Sequence, residues 1–127
     1  LYTGQSAFQT IDVVDTKPYG RMLFLDGCVM TTDRDEFIYH EMISHIPMLA
    51  GPTAPKSVLI IGGGDGGTVR EVLRHPAVQE VVLCEIDGEV IDVCRRFFPA
   101  LTNKLDDPRV NIQVRDGIDY IGQHQNR

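Results

Sequence analysis

Apolar and polar positions change their spacing twice along this chain, and each change marks a different kind of element. From Phe8 to Val14 apolar residues partly alternate with polar ones, the period of a strand covered on one face. Lys17–Gly20 reads as a turn. The apolar runs Met22–Leu25 and Cys28–Thr31 then flank Asp26 and Gly27, a pair suited to the left-handed backbone of a two-residue hairpin. A small antiparallel meander follows from this spacing. Asp33 with Glu36 three residues later is a variant of the capping box, and Phe37, Ile38, Met42, Ile46 and Leu49 then fall near one helical face. Pro47 is expected to kink or end that helix, since it offers no N–H and its ring crowds the preceding turn.

Gly51–Lys56 is a short linker containing Pro52 and Pro55, and beyond it strands alternate with helices. Strands are expected at 58–61, 81–85 and 110–114, with helices near 67–74 and 88–97; Val90, Val93, Cys94 and Phe97 of the second share a helical spacing. This order predicts right-handed crossovers and a parallel sheet. The fold class is therefore α/β: a small N-terminal antiparallel β-domain with its linking helix over 1–50, then a Rossmann-like parallel sheet with flanking helices over 51–127. A doubly wound sheet binds its ligand where strand order reverses, between the first and fourth strands, and no fourth strand is found before Arg127. The second domain is thus expected to be the first half of a truncated unit. Leu1, in place of Met, is likewise read as residues missing upstream.

The chemistry is concentrated where the first parallel strand, Val58–Ile61, meets a glycine loop. Gly62, Gly64 and Gly67 fit G-x-G-x-x-G, in which missing side chains permit a tight turn and let a nucleotide approach backbone N–H groups. Val81–Glu85 ends in an acid at about the 20-residue offset where ribose hydroxyls are held. Asp65 does not fit a pyrophosphate, because two anions in a low-dielectric cleft repel. The expected ligand is a nucleoside carrying positive charge. The formal net charge of −6 agrees with a cationic small substrate and argues against a nucleic-acid or anionic-membrane surface. Cys28, Cys84 and Cys94 have no C-x-x-C spacing and read as small buried apolar residues; His45, His75 and His124 lack partners at ligand spacing and read as structural or exposed. No metal is expected. With no signal peptide and no membrane-length apolar run, the cytoplasm is the expected compartment.

Five features occur in one order: Asp33–Glu41, the loop Gly62–Gly67 with Arg70 and Glu71 after it, Glu85–Asp87, Asp107–Arg109, and Asp116 with Gly117. Together they closely resemble the polyamine aminopropyltransferases, above all spermidine synthases of the bacterial type, over nearly the whole chain. The resemblance implies an N-terminal β-domain, a Rossmann-like domain of methyltransferase type, and a homodimer or homotetramer. It also implies transfer of an aminopropyl group from decarboxylated S-adenosylmethionine to putrescine, giving spermidine and methylthioadenosine, with the sulfonium nucleoside as co-substrate and no tightly held cofactor. Asp65 would pair with the donor's ammonium and disfavour the carboxylate-bearing methyl donor. Glu85 would accept from both ribose hydroxyls, beside Ile86. Asp116 would bind the adenine amino group, with Gly117 letting the ring lie close, and Gly62 and Gly64 would form the loop beneath the nucleoside. Gln9 and Leu25 match donor contacts, while Tyr39 and His40 match the junction of the two substrates, where a neutral imidazole and a phenol orient an amine. The family's base is an aspartate in Asp-x-x-Asp-Pro after the fourth strand. No such motif occurs here, so the base is expected beyond Arg127 and residues 1–127 alone are expected to be inactive. Met30 stands where many relatives carry glutamine, which bears on acceptor preference.

Each residue also has a plainer role. Asp65 can be a turn residue, Glu85 a solvated strand-end acid, and Asp87 or Asp116 a helix cap. Tyr39 and His40 can be packing or surface, and spacing alone makes no case for Gln9 or Leu25. The rival functions are a methyltransferase using ordinary S-adenosylmethionine, a nicotinamide dehydrogenase, and a catalytically silent binding module. Donor competition separates the first, displacement by NAD the second, and an Asp-x-x-Asp-Pro motif in the parent chain argues against the third.

Overall fold

The structure is a computed structural model that describes residues 1–124. Arg127, past which the base is expected, lies outside them. Strands β1 (Tyr2–Gln5), β2 (Thr10–Thr16), β3 (Gly20–Leu25) and β4 (Cys28–Thr32) form an antiparallel sheet in sequential order. Asp26 (φ 49°) and Gly27 (φ 76°) make the β3–β4 turn in the left-handed backbone that their types favour. Asp26 Oδ1 accepts from Thr10 N at 2.8 Å, which fastens the hairpin tip to β2. Strand β1 escapes the periodicity argument because its four residues include no aliphatic side chain; it is held by register with β2, from Tyr2 opposite Val13 to Gln5 opposite Thr10.

Helix α1 (Glu36–Ala50) leads to the second sheet, in which β5 (Ser57–Ile61), β6 (Glu80–Glu85) and β7 (Val110–Val114) are parallel in the order β5-β6-β7. Between them run α2 (Gly67–Val72), α3 (Gly88–Phe97) and the short α4 (Pro99–Thr102), with α5 (Gly117–Gln123) last. Strand β6 lies in the centre; β5 has a free edge among the described residues.

The antiparallel sheet shares a core with α3 and the segment that follows it, while the parallel strands pack in a second core around Ile60, Val81, Leu83, Val69 and Val72. Ile11, Val13 and Leu23 pack on Val90, Val93 and Cys94 of α3 and on Phe98 and Leu101, all buried. At about 25 cal/mol per Å² of apolar surface, this contact is what fastens the antiparallel sheet to α3. A polar tie adds direction to it. Asp87, 2% exposed, accepts from Ser6 Oγ at 2.7 Å and Gln9 Nε2 at 2.8 Å, and its other oxygen caps α3 by accepting from Glu89 N at 3.1 Å. Arg21 Nη1 donates to Phe97 O on the same seam.

Helix α1 departs from expectation in three ways. Its N-cap position is Asp35, which makes no side-chain cap bond, because the carboxylates of the expected capping region are used elsewhere. Asp33 accepts from Arg21 N at 2.9 Å and Asp35 from Thr32 Oγ1 at 2.6 Å. Pro47 does not end the helix, which continues to Ala50; Ser44 and Met48, buried on either side of the proline, hold the last turns. Third, the apolar face of Phe37, Ile38, Met42, Ile46 and Leu49 is exposed, and the stripe turned inward is His40, Ser44 and Met48. Charge explains the choice: α1 is anchored to α2 through Glu36 and His40, described next, and that anchor outranks the apolar pattern.

Candidate functional site

At the end of β5 the chain turns through Gly62 (φ 75°) and Gly63 (φ 80°), conformations that cost any residue with a Cβ. Gly62 N donates to Cys84 O at 2.9 Å, bringing the loop beside the end of β6. There Glu85, 8% exposed, accepts from Gly64 N at 3.0 Å with one oxygen and from Asp87 N at 3.1 Å with the other. A Cβ on Gly64 would sit 3.1 Å from that carboxylate, so the glycine is what lets loop and acid meet. The loop makes the tight turn its spacing suggests, although Gly63 and Gly66 (φ 84°), the unspecified positions, also carry left-handed backbone.

The other residues expected to contact the donor lie at or near the same carboxyl ends of the strands. Ile86 is half-exposed, and Gly117 lies over Ile61, whose Cγ2 would be 2.6 Å from an added Cβ. Asp116 caps α5, accepting from Ile118 N at 2.6 Å and Asp119 N at 3.3 Å, which leaves its second oxygen for another donor. Leu25 packs at the edge of the shared core, and Gln9 reaches the region through Asp87. Cys94 is buried beneath the loop; burial first, then the Asp65 and Glu85 charges, push its thiol far above the ordinary range, so it is no nucleophile.

Asp65 stands at the border between this ledge and a cavity of about 680 Å³. One of its oxygens accepts from Gly67 N at 2.8 Å, the turn role, while the carboxylate also lies 3.3 Å from His40 Nε2. His40, 2% exposed, has its other nitrogen 2.6 Å from Glu36 Oε2. Arg70 holds that same Glu36 with two bonds, Nη1 to Oε1 at 3.0 Å and Nη2 to Oε2 at 2.9 Å, and donates from Nε to Glu71 Oε1 at 2.9 Å. Burial is the largest single influence on His40 and acts to lower its pKa. Hydrogen bonds and charge from Asp65 and then Glu36 together outweigh it, so the pKa lies above 6.5 and the charged ring is held more strongly than in a free imidazole. Tyr39 meets the His40 ring edge-on at 5.5 Å and, with Met30, forms the upper cavity wall; the lower wall is the free edge of β5. Ser44 Oγ, on α1 where it lines the cavity, is buried without a partner among the described residues.

Sequence reasoning missed Glu36 and Arg70 as members of the site. It also missed that His45 and His75 meet. His45 Nδ1 lies 2.8 Å from His75 Nε2, and its Nε2 3.1 Å from Glu71 Oε2, because α1 crosses α2 there. Among the described residues no group of three or more His, Cys, Asp or Glu side chains could hold a metal.

His40 is fixed at both nitrogens, and its ring fills the space above Gly67. In Gly67→Ala the new Cβ would fall 2.3 Å from His40 Cε1. Overpacking costs about 1 to 3 kcal/mol, against at most about 1 kcal/mol gained in helix propensity. The variant is expected to melt several degrees lower, and a melting temperature at or above that of the parent would show that the ring moves freely.

A family profile described as the spermine/spermidine synthase domain matches residues 36–127. The chain belongs to this family. A second profile, the spermidine synthase tetramerisation domain, matches residues 1–33. The polyamine aminopropyltransferase of Bacillus subtilis (strain 168) is 50% identical over all of this chain and 46% of its own length; that of Clostridium kluyveri is 52% identical over 99% of this chain and 46% of its own. The chain thus spans under half the length of these relatives. A crystal structure of spermidine synthase from Thermotoga maritima, 48% identical, superposes with a TM-score of 0.93 over 97% of this chain and 43% of that one. A spermidine synthase structure in complex with the transition-state analogue AdoDATO matches with the same TM-score over 42% of its length. In this family's terms the antiparallel sheet falls within the tetramerisation profile, and the loop, the acids and α1 fall within the synthase profile.

Proposed function

We propose that this chain carries the donor-binding part of an aminopropyltransferase active site, that of a spermidine synthase using decarboxylated S-adenosylmethionine and putrescine. One observation carries the reading: a carboxylate, Asp65, stands in the glycine loop between the nucleoside ledge and a cavity. Glu85 would take the ribose hydroxyls, Asp116 the adenine amino group with Gly117 beneath the ring, and Gly62 and Gly64 the turn. Ile86 and Leu25 would flank the nucleoside, and Gln9 would contact the donor from its bond to Asp87. Asp65 would hold the donor's ammonium, with Tyr39 and His40 at the junction with the diamine.

In the reaction an amine lone pair attacks the propyl carbon next to sulfur. The C–N bond forms as C–S breaks, and the electron pair returns to sulfur, leaving neutral methylthioadenosine. The amine must first lose a proton, since a primary ammonium has a pKa near about 10. The Asp-x-x-Asp-Pro base of the resemblance is not among residues 1–127, so we propose that these residues alone do not turn over. The chemistry requires neither metal nor resident cofactor. The net charge of −6 disfavours contact with a nucleic-acid backbone, and no described helix is long and apolar enough to cross a membrane. The exposed apolar face of α1 and the tetramerisation profile support a homodimer or homotetramer. Three unpaired cysteines, of which Cys28 is exposed on its edge strand rather than buried as expected, fit the reducing cytoplasm, which we propose as the compartment.

The test is a mass-spectrometric product assay on the full-length protein with putrescine and either sulfonium donor. Spermidine and methylthioadenosine from the decarboxylated donor alone are expected, with no product from a 127-residue polypeptide. A methylated product from ordinary S-adenosylmethionine would replace this reading with a methyltransferase, and no product from either donor would leave a binding module.

A further inference from the structure

We propose that His40 is the resident counter-cation of Asp65, that Glu36 clamped by Arg70 is the positioning residue that keeps it there, and that an ammonium-bearing ligand arriving at Asp65 displaces the ring's Nε2 proton into solvent. The inference rests on the functional reading above, because the decarboxylated donor carries such an ammonium.

The geometry sets the protonation state. A neutral imidazole has a single N–H, and each nitrogen of His40 faces a carboxylate: Nδ1 is 2.6 Å from Glu36 and Nε2 is 3.3 Å from Asp65. In either neutral tautomer one lone pair would point at an anion inside a nearly dry site. The charged ring satisfies both. The groups facing it are Glu36 and the Tyr39 ring from α1, Asp65 from the loop, and from α2 the backbone at Gly67 and Arg70, which reaches it only through Glu36. Arg70 is in turn balanced by Glu71. Asp65 and Glu36 outweigh burial in this arrangement, and the ring titrates above 6.5.

A primary ammonium placed on Asp65 introduces a second cation within reach of Nε2–H. The exchange balances: the ammonium keeps its protons, His40 gives its Nε2 proton to water, and Nε2 becomes an acceptor facing the new cation. Ligand affinity then rises with pH, by up to about tenfold per unit, between the ring's pKa in the complex and its higher pKa in the free protein. Methylthioadenosine has no ammonium and should bind without this dependence.

The experiment is calorimetric titration of the full-length protein near pH 7 in two buffers of different ionisation enthalpy, which counts protons released per ligand. Decarboxylated S-adenosylmethionine is expected to release up to about one proton and methylthioadenosine none. Glu36→Gln should move the His40 titration down and reduce the release at the same pH, with Glu36→Asp restoring part of it. His40→Gln should abolish the release while the donor still binds. Donor binding without proton release, equal release with methylthioadenosine, or release unchanged in Glu36→Gln would each overturn the inference. If spermidine is formed without proton release, only the counter-cation role falls; if the decarboxylated donor does not bind, the functional reading falls with it.

Discussion

Arg70→Ala is expected to cost about 3 kcal/mol of folding stability near neutral pH, a far larger effect than a surface arginine would have. The guanidinium is 18% exposed and lies between two carboxylates, Glu36 at 14% and Glu71 at 5%. It also reaches Ala100 O at 3.4 Å, so one side chain joins α1, α2 and the segment after α3. Removing one partner of a buried pair costs about 3 to 5 kcal/mol, because the remaining charge stays desolvated. The lower end applies, since Glu36 keeps His40 and Glu71 keeps Arg74 at 2.7 Å. The pH dependence has a definite sign. Burial is the largest influence on Glu71 and acts to raise its pKa, but Arg74 and Arg70 together hold it below 4.5. A depressed folded pKa contributes stability that is present above the unfolded value and lost as pH falls through the folded one. The gap between parent and variant should therefore be widest above about pH 4.5 and narrow toward acid. His40 acts in the opposite sense: its raised pKa contributes stability below 6.5 that is lost as pH rises through the folded value. Urea melts at pH 7 and pH 4 measure the gap directly, and a loss under about 1 kcal/mol at pH 7 would show that the clamp is solvated.

Sequence disclosed those parts of the molecule whose cause is local. Ser57–Ile61, Glu80–Glu85 and Val110–Val114 are short apolar runs between turns, and a parallel sheet needs little else to be recognised. Asp26–Gly27 fixed one hairpin and the glycine loop one strand-to-helix turn, because positive φ restricts the residue types. The proximity of Glu85 to Gly64 was legible too, since adjacent parallel strands end side by side. Burial of α1 was not. Its aliphatic face is exposed because Glu36 and His40 meet partners 25 to 34 residues away, a tertiary choice that periodicity cannot contain. The same crossing joins His45 to His75 over 30 residues. His40 could be expected at the site only through the family resemblance, and its raised pKa only through the two carboxylates that the fold places on either side of it.

Asp65→Asn is expected to weaken decarboxylated S-adenosylmethionine about ten- to a hundredfold while leaving methylthioadenosine nearly unchanged. The substitution suits the question because it separates charge from shape. An asparagine oxygen can still accept from Gly67 N, the 2.8 Å bond that starts α2, so the loop should hold its form. What disappears is the negative charge at the cavity mouth, and with it a charge-assisted bond worth roughly 1.5 to 3 kcal/mol where water is scarce. The effect on His40 follows from the same loss. With Asp65 neutral, only Glu36 still favours the imidazolium against burial, so the ring's pKa should fall and ligand binding should release fewer protons than in the parent. Competition binding with both ligands, alongside an NMR titration of the His40 ring, reads the two consequences separately. Equal weakening of both ligands would mean that Asp65 acts by shaping the loop. A selective loss confined to the ammonium-bearing donor would make this carboxylate the feature that turns a methyltransferase-type nucleoside ledge toward aminopropyl transfer.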